Sequence, residues 1–476
     1  MRAEILDEPA LEFGGGARHI DPRFGLTVYG PADLGNPTAP VAIRVGLIGP
    51  ADQADGTRRW FERCRSPIAA KDERYPHLFP AFPGCDTDAG LYTQLTFADR
   101  NVRQITARQL RALEGRTGAD TVGEAVDIYA SEIAAMAEEH RVDVIVVARP
   151  DELNDTRAKT RRSGRRRPKS APASGGLENF HDLLKARTLH LGIPLQIIRR
   201  STWDEATPPP KGRGRQDEAT RAWNLHIAMY YKAGGVPWRL QRIATDYTTC
   251  YVGVSFYRAG DGTRLDTAVA HVFNERGDGV IVRGGQAHIS AEDNQPHLAA
   301  ADAHDLLQRA LNTYRAEHKT LPARVVVHKS SRFTADEVDG FDGAANARDL
   351  GALDLIWLTD SEDAQLFRPG AAPPLRGTFF TLGAHEHALY TKASIEFYST
   401  YPGMHVPRPL GIRPALLAGN PRDLALELLA LSKMNWNQAQ LDGRLPITLR
   451  TAEQVKKILR FRAPSDSIAS RYAQYM

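Results

Sequence analysis

The chain has 476 residues, 61 Lys+Arg against 57 Asp+Glu, three cysteines and 42% hydrophobic residues, a globular composition long enough for two or three cores. This excludes a small disulfide-held scaffold and a disordered tail. The net charge of +4 is concentrated: residues 156–170, TRAKTRRSGRRRPKS, hold eight basic and no acidic residues, and without those eight, 53 basic residues face 57 acidic ones, a net of −4. Global charge therefore carries no argument for nucleic-acid binding, which has to come from local sites.

Cys64, Cys85 and Cys250 are far apart and show no CxxC spacing, which argues against a disulfide framework and a zinc site and fits a reducing cytoplasm. The start, MRAEILDEPA, has no cationic head followed by an apolar run, and no stretch reaches the roughly 18 apolar residues of a membrane helix. A cytoplasmic location is expected.

In chain order, the glycine- and turn-rich segment Leu11–Gly35 reads as part of an extended arm covering residues 1–40. Val41–Pro50 is an apolar, β-branched run ending in Gly-Pro, a buried strand. A helix follows at about Thr121–His140, where Val122, Ala125, Val126, Tyr129, Ile133 and Met136 fall on one stripe. Val142–Pro150 is a second buried strand, 153–176 a basic loop expected to be disordered, Glu178–Leu191 a helix and Pro194–Arg200 a third strand. This alternation predicts a Rossmann-like, doubly wound parallel sheet. A helix at Glu218–Lys232 is stopped by Gly234-Gly235 and Pro237, and the domain boundary is placed at 240. Strands then follow at Thr249–Arg258, Leu265–Asn274 and Gly279–Gly285, a helix at Ala301–His318, a strand at Arg324–Ser331, a helix at Ala335–Asp349 and a strand at Leu353–Asp360. A meander followed by strand-helix alternation fits an RNase H-like sheet over 241–476. The fold class is α/β.

His181 and Lys185 are four residues apart on the helix after the basic loop and share its face. Near a helix N-terminus, an imidazole and an ammonium make a phosphate pocket, and Gln196 and Lys232 lie on neighbouring elements. The bland alternative is a capping neighbour and a solvated charge. His385 and His387 would share a strand face, which without a third ligand reads as a polar face rather than a metal site. Gly14–Gly16 lacks the strand-to-helix context of a phosphate cradle and reads as flexible arm.

The set His181, Lys185, Gln196 and Lys232, the phrase GGVPW, and the later phrases VVVHKSS, GTFFTLG, TKASIEFYSTYPG, MNWNQAQLDGRLPITLR and AEQVKKIL resemble the MID and PIWI domains of prokaryotic Argonautes. The resemblance runs over residues 11–476 in the family's order. It points to the short, catalytically inactive class, with MID at 41–240 and PIWI at 241–476, and DPRFGLTVYGP is similar to that class's start. It implies that His181, Lys185, Gln196 and Lys232 hold the 5′-phosphate of a small guide RNA, His181 standing where many long Argonautes carry tyrosine. It further implies a magnesium ion bridging that phosphate to the C-terminal carboxylate, here of Met476. In the PIWI domain Ser255 and Ser330 fall where slicing Argonautes carry aspartates, and Asn435 and Asn437 lie near the last ligand position. Hydroxyls cannot offset two divalent ions, and Lys329 would repel them, so slicing is expected to be absent. The implied partners are complementary single-stranded DNA of plasmids or phage and an APAZ-containing effector, sirtuin-like or TIR, that depletes NAD in abortive infection. The alternatives are a nuclease with a relocated acid set (Asp246, Asp266 or Glu292 with Asp442) and a guide-independent structural subunit.

Overall fold

Apolar runs with β-branched residues form the central strands, and amphipathic segments form the helices that cover them. The computed structural model describes the chain apart from residues 1, 72–73, 112, 114–118, 152, 154–177, 210–213, 242–247, 259–264, 274–278, 361–363, 371, 404, 464–465 and 467–470, with only the backbone of 119–120, 178–179 and 265–273. The basic loop, Asp246 and the Asp266 side chain lie outside the described residues. Two units emerge: Met1–Pro37, Ala70–Ala81 and Val236–Tyr472 form one, and Thr38–Ala69, Phe82–Gly235 and Ala473–Met476 the other.

The N-terminal residues correct the expectation of an extended arm. After β1 (Arg2–Ile5), β2 (Leu11–Glu12) and β3 (Arg18–His19), a helix α1 forms at Pro22–Tyr29. Asp21 caps it, accepting from the Arg23 and Phe24 amides, and Pro22 sits in the first turn, where its missing N–H costs nothing. The Asp21 carboxylate also takes the Arg23 guanidinium at 3.0 Å and the Tyr398 hydroxyl at 2.9 Å. Burial opposes its ionisation, but Arg23 and Tyr398 hold it below the usual carboxylate range. The triple glycine is an ordered turn: Gly15 and Gly16 take positive φ of 65° and 75°, and a Cβ on Gly14 would stand 2.2 Å from the Tyr29 carbonyl oxygen.

The second unit carries β4 (Ala42–Gly49), α2 (Ala51–Arg63), β5 (Gln94–Thr96), β6 (Val102–Gln104), α3 (Ala107–Arg111), α4 (Ala119–Glu139), β7 (Val144–Ala148), α5 (Glu178–Thr188), β8 (Leu195–Ile198) and α6 (Glu218–Lys232). Its strands run in the order β5-β4-β7-β8, with β6 also on β4, and every pairing is parallel. β7 is buried at all five positions, as a parallel strand covered on both faces must be. The α4 stripe expected from the sequence fills one core, with Val126, Tyr129, Ile133 and Met136 packed among Ile145, Val147, Phe180 and Leu184.

The first unit continues with β9 (Arg239–Leu240), β10 (Thr249–Arg258), β11 (Leu265–Phe273), β12 (Gly279–Val282), β13 (Ala287–Ile289), β14 (Pro296–Leu298), α7 (Ala300–His318), β15 (Arg324–Lys329), α8 (Ala335–Asn346), β16 (Ala352–Asp360), β17 (Thr378–Gly383), β18 (Glu386–Leu389), β19 (Leu410–Leu416), α9 (Pro421–Leu431) and α10 (Ile447–Leu459). Nine strands form one sheet in the order β1-β17-β18-β19-β16-β15-β10-β11-β12. Within it β10, β15 and β16 are mutually parallel, while β10-β11-β12 is the antiparallel meander read from the sequence. Alternation along β10 sends Val252, Val254 and Phe256 into the core under α7 and α8. The opposite face meets α10, where a Cβ on Gly253 would stand 2.3 Å from the Thr448 carbonyl oxygen. That glycine sets how closely helix and strand approach.

Candidate phosphate and nucleic-acid sites

In the second unit, α5 buries Phe180 and Leu184 in the core, Phe180 edge-on to Tyr129 at 5.5 Å between ring centroids. One residue further on in each case, His181 and Lys185 fall on the neighbouring face. Lys185 is only 2% exposed, and among the described residues its ammonium has no hydrogen-bond partner. Lys232, in the last turn of α6 and also buried, donates to Gln196 Oε1 on β8 at 2.5 Å. The C-terminal end of a helix favours a cation, which helps to seat this one. His181 Nδ1 lies 2.9 Å from Asp182 Oδ1, with 44% of its side chain still exposed.

The electrostatics tie these residues into one cluster. Burial pushes Lys185 down to about 7, with Asp182 opposing. Lys232 is pushed well below its ordinary value by burial and then by Lys185. Burial, Lys185 and Lys232 bring His181 down to about 4 against the pull of Asp182. Two buried lysines repelling each other, one of them without a partner, are an unfavourable arrangement unless a strong anion joins them. The structure thus brings together all four residues singled out from the sequence. The segment Ala473–Met476 belongs to the same unit, with Gln474 Nε2 donating to the Gly192 carbonyl at 2.6 Å and Met476 buried.

The first unit holds a second site at the carboxyl ends of β10, β15 and β16. Register pairs Val254 with Lys329, so Ser255 and Ser330 come side by side. Ser255 Oγ donates to Glu453 Oε1 at 2.7 Å, and Lys456 donates to the same oxygen at 2.5 Å, both acidic and basic partners coming from α10. The residue opposite the serines is thus Glu453, which the sequence reading missed. It could have been found from the helical stripe of AEQVKKIL, but not from charge alone.

Three expectations are corrected here. Asn435 does not reach this site: its Oδ1 accepts from the Asn437 amide in the turn after α9, where Trp436 packs against Trp238 at 6.5 Å and donates to the Trp238 carbonyl. Lys329 does not project a free charge at the serines, because alternation along β15 turns it to the α8 side. There its fully buried ammonium bonds Glu337 at 2.6 Å and lies over Phe256 and Phe333. His385 and His387 do not share a strand face either. His387 is buried on β18 against Thr381 Oγ1 at 3.0 Å, whereas His385 lies in the turn before the strand.

Of the proposed relocated acids, only Glu292 and Asp442 have described side chains. Glu292 is exposed in the turn between β13 and β14, and Asp442 is buried with Lys392 at 4.0 Å. Among the described residues no three His, Cys, Asp or Glu side chains come together as a metal site would need. No described helix is long and apolar enough to cross a membrane.

No family model matches the chain, and no curated protein matches it in sequence. Solved structures do. Clostridium butyricum Argonaute bound to a guide DNA (5′ deoxycytidine) and a 19-mer target DNA superposes with a TM-score of 0.66 at 15% identity, covering 99% of this chain and 54% of that one. The fold is Argonaute-like. A. aeolicus Argonaute gives a TM-score of 0.59 at 15% identity over 99% and 55% of the two chains. Aa-Ago with externally bound siRNA gives 0.59 at 14%, over 98% and 54%. The chain spans about half the length of the Argonautes it matches. The parallel sheet and the nine-stranded sheet thus correspond to an Argonaute MID–PIWI arrangement, as the α/β reading of the sequence required.

Proposed function

We propose that this chain is a guide-binding short Argonaute. It holds the 5′-phosphate of a small guide RNA at His181, Lys185, Gln196 and Lys232, and pairs the guide with complementary single-stranded DNA of plasmids or phage. The observation that carries this reading is the Lys185 ammonium, buried beside Lys232 with no hydrogen-bond partner among the described residues. A terminal phosphate near its dianionic state satisfies both lysines at once, and each charge-assisted hydrogen bond to it is worth about 1.5–3 kcal/mol. His181 donates its Nδ1–H to Asp182, so its Nε2 can donate to the phosphate only once the ring takes up a proton, which a bound dianion favours.

The side chains at the pocket do not form a magnesium site by themselves, being two ammonium groups, an imidazole and an amide. Magnesium would enter only together with the guide, where its charge would offset part of the phosphate's, and Met476 is the residue of this chain that would hold it. At the second site, Ser255 and Ser330 supply hydroxyls, and the charge of Glu453 is shared with Lys456. We therefore read the chain as recognising its target without cutting it. Recognition is then reported to an APAZ-containing effector, sirtuin-like or TIR, which depletes NAD and aborts infection.

The test is to purify the chain from cells and sequence and end-label the small nucleic acids it retains. Lys185→Ala and Gln196→Ala lose 5′-phosphorylated guides in this reading. Unchanged guides would point to a structural subunit, and metal-dependent cleavage of a guide-matched target by the chain alone would establish the nuclease reading instead.

A further inference from the structure

A cavity of about 740 Å³ lies at the amino ends of β10, β15 and β16, where Thr249, Arg324 and Ala352 begin the strands. This end of the sheet is remote from the paired serines, and every lining residue belongs to the first unit. The volume falls within the roughly 300–1,000 Å³ of small-molecule sites. Open α/β sheets usually receive ligands at the carboxyl ends of their strands, so position alone gives this cavity no role; the charges on its walls do.

Arg324 donates through Nε to Asp354 at 2.6 Å and through both Nη groups to Glu427, so one guanidinium serves two carboxylates. Asp423 stands one turn before Glu427 on α9 and lines the same cavity, a like-charge spacing that is unfavourable by itself. Among the described residues neither Asp423 nor Asp7, which lines the cavity from the N-terminal segment, has a cationic partner. The other nearby cations are taken: Glu8 holds Arg376 at 2.8 Å and Lys433 at 3.1 Å, and Glu4 holds Arg422 at 3.1 Å. In and directly behind the wall, six carboxylates thus face four cations, an excess of two negative charges. Burial, with Asp354 and Asp423 adding to it, outweighs Arg324 and holds the Glu427 carboxyl above its ordinary range. Much of the remaining lining is aliphatic, including Pro9, Leu240, Leu424 and Ala430. Carboxylates on aliphatic walls suit ammonium groups joined by methylenes. They suit a bare divalent ion poorly, because Glu427 is committed to Arg324 and no three acidic, His or Cys side chains gather among the described residues.

We infer that this cavity binds a linear aliphatic polyamine, with one ammonium held by Asp423 and Glu427, another by Asp7, and the methylene chain on the aliphatic wall. The site is independent of guide binding, since it shares no residue with the phosphate pocket or with the serine site. The bound amine offsets the excess negative charge at the base of the nine-stranded sheet and joins the N-terminal segment to α9. Binding to the folded state alone stabilises it, so the chain gains stability with amine concentration.

The experiment titrates spermidine into the full chain freed of nucleic acid, at neutral pH and a fixed, physiological ionic strength, by calorimetry, with the melting temperature read on the same samples. One saturable site is expected, together with a melting temperature that rises with spermidine concentration. Asp423→Asn should weaken binding about tenfold, and Asp7→Asn, at an exposed position, by a smaller factor. Propylamine, with a single ammonium, should bind at least about tenfold more weakly than spermidine. Glu427→Gln also loosens Arg324, so the two aspartate variants carry the test should it fold poorly. Affinity unchanged in Asp423→Asn, many weak sites without saturation, or equal displacement by magnesium at the same ionic strength would each overturn the inference. So would tighter binding of an oligoarginine peptide than of spermidine, which would assign the cavity to a basic protein segment instead.

Discussion

Replacing Lys185 by methionine should stabilise the guide-free protein and cripple its choice of guide. The buried ammonium sits at a pKa of about 7 against an ordinary 10.5. In the unfolded chain this lysine is protonated up to about pH 10, so folding penalises it by on the order of 4 kcal/mol at neutral pH, an upper bound. Between about pH 7 and pH 10 the unfolded state binds more protons than the folded one, so stability of the guide-free chain rises with pH across that window, and below about 7 the full penalty remains. Lys185→Met removes the charge, keeps most of the volume and should reduce this rise, leaving the part that the buried Lys232 contributes. With about 2–4 kcal/mol recovered, thermal unfolding of the guide-free chain should move up by on the order of 2–4 °C. The same change deletes a charge-assisted hydrogen bond to the guide, so the preference for 5′-phosphate over 5′-hydroxyl guides should fall about tenfold to a hundredfold. Thermal denaturation at pH 6.5, 7.5 and 9, paired with titration of the two guides, reads both effects. Destabilisation on substitution would mean that Lys185 already has a counter-charge, and undiminished discrimination would place the phosphate elsewhere.

Ser255→Asp with Ser330→Asp puts two carboxylates beside Glu453 and should create manganese binding in the free protein, seen as a metal-dependent rise in melting temperature that the wild type lacks. Glu337→Gln strands the buried Lys329 ammonium, and equilibrium unfolding should record a loss of about 3–5 kcal/mol; the double replacement Lys329→Met, Glu337→Gln should recover part of it, since the glutamine oxygen can still accept from the Leu298 or Thr334 amide. Deleting residues 156–170 removes eight positive charges, so nonspecific binding to single-stranded nucleic acid should become weaker and less salt-dependent while 5′-phosphate selectivity is kept. Loss of that selectivity would show that the loop belongs to the guide site.

Much of the framework was legible because it rests on local patterning. The buried runs at β4, β7 and β10 and the stripe of α4 announce themselves through hydrophobic periodicity, whatever packs against them. Helix α2 did not, because ADQADGTRRWFER is polar on average; it earns its place through contacts such as Gly56, whose Cβ would stand 2.4 Å from the Trp203 ring. Helix α1 was hidden in a glycine- and proline-rich stretch and depends on Asp21 finding Arg23 and, some 377 residues later, Tyr398.

Sequence alone determined which residue types stand at each site: two lysines, a histidine and a glutamine at one, serines in place of acids at the other. Spacing on one helix joined His181 to Lys185, since four residues make one turn. Only tertiary structure decided that Lys185 is buried next to Lys232 with no hydrogen-bond partner among the described residues, that Glu453 rather than Asn435 faces Ser255, and that Lys329 is neutralised on the far side of its strand. The reason is physical. Identity and periodicity are properties of the local chain, whereas the charge state and partners of a buried group depend on what distant elements bring within a few ångströms of it.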